Sequence, residues 1–238
     1  MPVSVDNTIE RASNDGGTSV TSGTFDVVTD DLIVVTANCD ENADVTLITF
    51  AISDNQTPDL SYTQIAQRAR FDGTFEGGVS AWYHRVVSNI TGLTITIAVS
   101  KAAPGITDSP SIKVYKATGY DTSTIVGAQT ENGSTTNNLT TASITPQTSG
   151  AGFAVGTEWQ ELGVPTSSDL TFSGFDTAGD ISGGSGYKTL SEGVGATANL
   201  DAFGDAAAQW NYLWFEIRTA AAGGATHPGW YQSRGGWF

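Results

Sequence analysis

Residues able to do chemistry are thinly spread along this chain. Its two histidines, His84 and His227, lie far apart, and a metal centre built on imidazole needs two or three such rings converging with carboxylates. His84 sits in Ala81-Trp82-Tyr83-His84-Arg85 and is expected to point outward from a strand beside Trp82. No Gly-x-Ser-x-Gly turn marks a nucleophilic serine. The best local glycosidase candidate is Glu158-Trp159-Gln160-Glu161, where an aromatic that could stack on a sugar adjoins two acids. Residues three apart on a strand point to opposite faces, so a working pair would need a partner from a distant loop, such as Glu76, Glu131 or Glu192. Asp40-Glu41-Asn42-Ala43-Asp44 gathers oxygen ligands in the kind of loop where a sandwich can hold calcium. It lacks the length and glycine of an EF-hand, and a turn of Asx residues is expected instead. Gly73 to Gly78 and Gly183 to Gly186 lack the lysine and following helix of a phosphate cradle. No catalytic residue, no cofactor and no metal site is expected.

The elements that would position any such groups are short alternating segments between Thr18 and Thr219, parted by Gly, Asn, Asp and Ser. In Leu93-Thr94-Ile95-Thr96-Ile97-Ala98-Val99-Ser100 the apolar residues recur at every second position, the period of a half-buried strand. Leu32-Ile33-Val34-Val35-Thr36-Ala37 is apolar without a break, which predicts a central strand covered on both faces. Further strands are expected over 19–27, 45–53, 60–66, 79–87 and 111–118, then over 139–144, 152–158, 169–175, 187–192, 196–202 and 211–219. In the last, Leu213, Phe215 and Ile217 share one face, while Tyr212, Trp214, Glu216 and Arg218 share the other. Only 63–71 and 205–210 could pass for helix, each too short to stand without tertiary support. The glycine-rich stretch 174–186 is expected to be an exposed loop.

With 238 residues the chain can bury a substantial core. No Pro-rich or charged linker divides it, and no repeat of solenoid or propeller length appears. The expected fold class is all-β, a single antiparallel sandwich over 18–219, with extended arms at 1–17 and 220–238. A formal charge of -15 repels phosphate backbones, so no nucleic-acid partner is expected. Cys39 is the sole cysteine, which leaves no intrachain disulfide and suits a buried strand position. The N-terminus shows neither the basic nor the apolar region of a secretory signal, and no stretch approaches the roughly 20 apolar residues of a membrane span. Folding in a cytoplasm without membrane insertion is the expectation.

Beyond the Ala220-Ala221-Ala222-Gly223-Gly224 hinge lie Trp230, Tyr231, Trp237 and Phe238, large aromatics in a segment with no strand alternation. Exposed on a monomer they would favour aggregation, so they are expected to anchor the chain on a neighbouring subunit, the alternative being a tail folded back on its own sandwich.

The order of segments resembles a family of β-sandwich domains, jelly-roll or lectin-like, found in structural proteins of tailed bacteriophages and in bacterial surface proteins. Asp6-Asn7-Thr8 precedes Gly23-Thr24-Phe25, and Asp31-Leu32-Ile33-Val34-Val35 matches the family's apolar strand. Val79-Ser80-Ala81-Trp82-Tyr83 and Leu93-Thr94-Ile95-Thr96-Ile97 match a later pair. The run from Ala117 through Gly119-Tyr120-Asp121 to Gly127-Ala128 is similar to the family's corner, and 210–218 is similar in style to its closing strand. The resemblance implies a non-enzymatic virion protein assembled in the host cytoplasm, foremost a head decoration or cement protein. Its partners would be major capsid or tail proteins and further copies of itself. Alternatives are a tail, baseplate or fibre part that reads a host-surface glycan, with Trp82, Trp159, Trp210 or Trp214 as stacking platforms, or a glycan-cleaving enzyme using Glu158 or Glu161.

Overall fold

A computed structural model of the chain describes residues 3–11, 17–42, 48–71, 75–100, 110–134, 143–158, 167–177, 181–199 and 210–220. Within them the chain is all-β and has no helix. The first half supplies β1 (Ser4–Arg11), β2 (Ser19–Thr21), β3 (Phe25–Val27), β4 (Leu32–Asn42), β5 (Thr49–Asp54), β6 (Thr63–Phe71), β7 (Phe75–Arg85), β8 (Ile90–Leu93), β9 (Ile95–Ser100) and β10 (Ser111–Thr118). The second half supplies β11 (Val126–Ser134), β12 (Ala151–Glu158), β13 (Thr171–Thr177), β14 (Ile181–Thr189) and β15 (Trp210–Ile217).

One five-stranded sheet runs β1-β10-β4-β7-β6 and a second runs β11-β15-β12-β14-β13. Two small sheets, β2-β9-β5 and β3-β8, complete the set, and every pairing between strands is antiparallel. The first five-stranded sheet is the middle layer. On one face, Ile33, Val35, Ala37, Trp82, Ile112 and Val114 pack on Val20, Val27, Leu93, Ile95 and Ile97 of the small sheets. On the other, Leu32, Val34, Val79, Ala81, Tyr115 and Ala117 pack on Phe153, Val155, Leu213, Phe215 and Ile217 of the second large sheet. Continuous burial from Asp31 to Cys39 follows directly, since β4 is the central strand of that middle layer. The outer face of the second sheet carries Ala154, Phe172, Trp210, Tyr212 and Trp214, packed with Ile144, Leu170, Leu190 and Ala198. From the end of β8 through β9 the alternation is realised: Leu93 of β8 and Ile95, Ile97 and Val99 of β9 are buried, and Ser100 is exposed.

Several expectations give way. Residues 174–177 and 181–186 are not an exposed loop, while 178–180 lie outside the described residues. The two described stretches enter β13 and β14, and Gly183, Gly184 and Gly186 are buried. A Cβ at Gly183 would overlap the Asn38 amide on the facing sheet, and one at Gly184 would overlap the Phe172 ring. Glycine is needed there because of close approach and not because of a turn. Residues 63–71, equally compatible with a short helix, are strand β6, whose backbone pairs with β7. Much of the expected N-terminal arm, Ser4–Arg11, is β1, the strand paired to the outer edge of β10. The single strand expected over 19–27 is the two strands β2 and β3, and Ala196 makes only a bridge to Ile144. The acidic run begins within β4, which extends to Asn42, while 43–44 fall outside the described residues. The expected strand over 139–144 lies outside them up to residue 142, as does 205–209 of the other candidate helix.

A methyl group at Gly152 would overlap the ring of fully buried Trp214, whereas nothing lies within 4 Å of a Cβ at Gly23. Gly152→Ala should destabilise the fold by about 1–3 kcal/mol, the usual cost of overpacking. Gly23→Ala should stay within about 0.5 kcal/mol, and urea unfolding of the two variants measures the difference.

Candidate functional site

The tryptophans proposed as sugar platforms are core residues. Trp82 is buried between the middle layer and the small sheets, edge-on to Phe50 at 6.3 Å. Trp210 and Trp214 are buried on the outer face of the second sheet. The Trp214 indole donates Nε1–H to Ala196 O at 3.2 Å, and Lys188 Nζ stands over its ring at 5.8 Å. None of the three presents a free ring face, so stacking of a glycan on Trp82, Trp210 or Trp214 is excluded by burial. Trp159, Glu161 and the tail aromatics Trp230, Tyr231, Trp237 and Phe238 lie outside the described residues, as does His227. His84 is partly buried, and its Nδ1 lies 2.8 Å from Ser61 O. Cys39 is a buried residue of β4 that forms no disulfide. Among the described residues, no three His, Cys, Asp or Glu side chains converge as a metal centre requires.

The polar groups that the fold does bring together hold its layers in place. Ser185 on β14 donates to Ala154 O at 2.8 Å, which uses its one hydroxyl hydrogen. Its oxygen then accepts from Thr36 Oγ1 of β4 at 2.8 Å and from Tyr115 OH of β10 at 2.6 Å. This junction satisfies hydroxyls that would otherwise be buried unpaired, and it pins the register between the two large sheets.

Glu216 is a stronger clasp. Fully buried on β15, its Oε1 accepts from Thr148 N and Thr148 Oγ1, both at 2.8 Å. Oε2 accepts from Gln147 N at 2.8 Å and Ala128 N at 3.0 Å. One carboxylate thereby closes the loop before β12 and the start of β11 onto the outer face of the sheet. Gly127 is required beside it, since a Cβ there would overlap Oε2. Asp169 plays a similar part, pairing with Lys188 Nζ at 2.6 Å and accepting Asn199 N at 3.0 Å. Burial pushes the Tyr212 phenol well above its ordinary range, with Asp169 adding to it, so its neutral hydroxyl donates to Ala198 O at 3.3 Å.

The corner between β10 and β11 couples the two halves of the chain. Gly119 has φ of 76°, a conformation that only glycine adopts without strain. Tyr120 bridges to Thr219, and Asp121 N donates to Arg218 O at 2.8 Å. The Asp121 carboxylate accepts from Ser123 Oγ at 2.6 Å, Ser123 N at 2.8 Å and Thr124 N at 3.3 Å. These bonds, the Ser123 hydroxyl foremost, hold its carboxyl below the usual aspartate range.

A groove of about 340 Å³ lies where β6 and β11, edge strands of the two large sheets, run past each other. Thr63, Gln64, Ile65, Tyr83, Val126 and Gln129 line it. No sequence signal marks these residues, because the groove joins strands from opposite halves of the chain.

The fold and its clasps define an all-β protein of stacked antiparallel sheets. Comparison with family models, with curated proteins and with solved structures finds no match.

Glu216→Ala would leave three backbone N–H groups without their acceptor, and a loss on the order of 3 kcal/mol is expected. Glu216→Gln keeps one acceptor oxygen and should lose less; chemical denaturation of both variants orders them. A depressed carboxyl contributes stability that is present above its unfolded value and lost as pH falls through the folded value. Carbonyl-detected NMR titration should therefore place the Asp121 midpoint below the ordinary 3.8, and Ser123→Ala should raise it.

Proposed function

We propose that this chain is a non-enzymatic structural protein of a tailed-bacteriophage virion, a jelly-roll-like block that decorates and cements the capsid. The observation that carries the reading is the strand pairing of residues 4–118. When β2 with β3 and β8 with β9 are each counted as one interrupted strand, this half contains eight strands, the number of a jelly roll wound from two Greek keys. In such a winding the first strand lies beside the eighth, the second beside the seventh and the third beside the sixth. Here β1 pairs with β10, β2 and β3 pair with β9 and β8, and β4 pairs with β7. The fourth pair departs from that scheme: β5 pairs with β9 and β6 with β7, which moves one strand from the smaller sheet to the larger.

Rigidity supports the same reading. A middle sheet packed on both faces and a buried carboxylate spent on backbone donors suit a part that bears load. The edges β1, β6, β11 and β13 offer backbone groups with which neighbouring subunits can pair. Trp230, Tyr231, Trp237 and Phe238 are the proposed anchors on an adjacent copy or on the major capsid protein, where many weak contacts reinforce one another.

In particles purified from the producing host, quantitative mass spectrometry should find the chain in stoichiometric amounts with the major capsid protein. Deletion of 226–238 should leave the circular dichroism of the sandwich unchanged and remove the chain from particles. Absence of the intact chain from particles would overturn the proposal.

A further inference from the structure

The groove between β6 and β11 is shaped as a binding site in its own right. Both strands that bound it are irregular at the lining residues. The pairing of β6 with β7 shifts between Gln64 and Ala66, and that of β11 with β15 shifts between Val126 and Gln129. Bulges at sheet edges re-aim side chains and are concentrated beside functional sites; here two of them face one cleft. Further along the same strands, Arg68 Nη1 lies 3.6 Å from Glu131 Oε1 and ties the two edges together.

Half-buried Ile65, Val126 and Tyr83 continue the core between the large sheets into the groove. Thr63 and Gln129 are exposed and supply one hydroxyl and one amide. Gln64, opposite Trp82 on β7, donates from Nε2 to Gln67 Oε1 at 3.2 Å and to Ser80 Oγ at 3.1 Å, so its amide is spent on the face turned to the small sheets and not in the groove. No charged side chain lines the groove, although the chain carries a net charge of -15.

We propose that this groove binds a neutral oligosaccharide, with one sugar packed on the Tyr83 ring and its hydroxyls bonded to Thr63 and Gln129. A phosphate or carboxylate ligand would need a cation in the lining and a cationic ligand would need an acid; neither is there. A sugar ring has an apolar C–H face and hydroxyls that both donate and accept, as amides and the Thr and Tyr hydroxyls do. The volume is at the small end of the range for small-molecule sites, which suits one or two sugar rings. This site is distinct from the buried tryptophans and does not depend on incorporation into particles.

The intact protein applied to an array of neutral and acidic glycans should retain neutral members only. Titration calorimetry with the tightest of them should then show Tyr83→Ala weakening binding about tenfold, or about 1.4 kcal/mol. Because Tyr83 also packs on the core, exposed Gln129→Ala provides the variant that leaves the fold intact, and it too should weaken binding severalfold. An array with no neutral glycan retained, a preference for acidic glycans, or affinity unchanged in Gln129→Ala would overturn the proposal. So would capture of an extended peptide at the β6 edge in place of a glycan. None of these outcomes bears on the copy number in particles, so this proposal and the structural one fail separately.

Discussion

Covering a β-sheet on both faces removes the solvent side on which polar residues normally sit, and the rest of this molecule follows from that constraint on β4 and its neighbours. Each position from Asp31 to Cys39 is buried, so apolar side chains are favoured there and a polar one depends on partners inside the protein. Ile33, Val35 and Ala37 serve one core while Leu32 and Val34 serve the other. Thr36 falls on the second face and is tolerated because its hydroxyl donates to Ser185 Oγ at 2.8 Å. Toward the end of β4, Asn38 packs against the facing sheet at Gly183. Close approach of the layers is thus bought with glycine, at the cost of side-chain packing on β14.

The second large sheet cannot be separated from the first half, since it supplies one wall of the shared core. What holds it in place is local and polar. The corner at Gly119 to Thr124 turns the chain from one layer to the next and is bonded to the end of β15 through Tyr120 and Asp121. Glu216, two residues before Arg218, gathers Ala128, Gln147 and Thr148 onto the sheet's outer face. A single strand therefore closes the core on one side and organises the covering loops on the other. The groove between β6 and β11 lies where two edges with bulges do not close on each other.

Much of the strand content was legible in the residues. The alternation at Leu93 to Val99, the unbroken apolar run of β4 and the split faces of β15 all appear in the structure as the periodicity requires. The legible part ended where one residue type serves two physical roles. Glycines at 183, 184 and 186 signal a loop by composition, yet they are buried strand positions because facing side chains fill the space a Cβ would occupy. Tryptophans 82, 210 and 214 suit a sugar platform and a core equally well by type, and burial decides for the core. Polar Ser4–Arg11 shows no strand alternation, but pairing to β10 makes it strand, because edge pairing rests on backbone groups that carry no sequence signature.

By itself the sequence determined the fold class and the central strand, since both rest on local periodicity and on the solvation cost of apolar runs. Which sheets stack, that the middle one is covered twice, and which residues of distant strands meet at Ser185, Glu216 and the β6–β11 groove were decided only by the tertiary structure. Those contacts join positions up to 149 residues apart, and no local preference of the chain encodes which partner a strand will find across a layer.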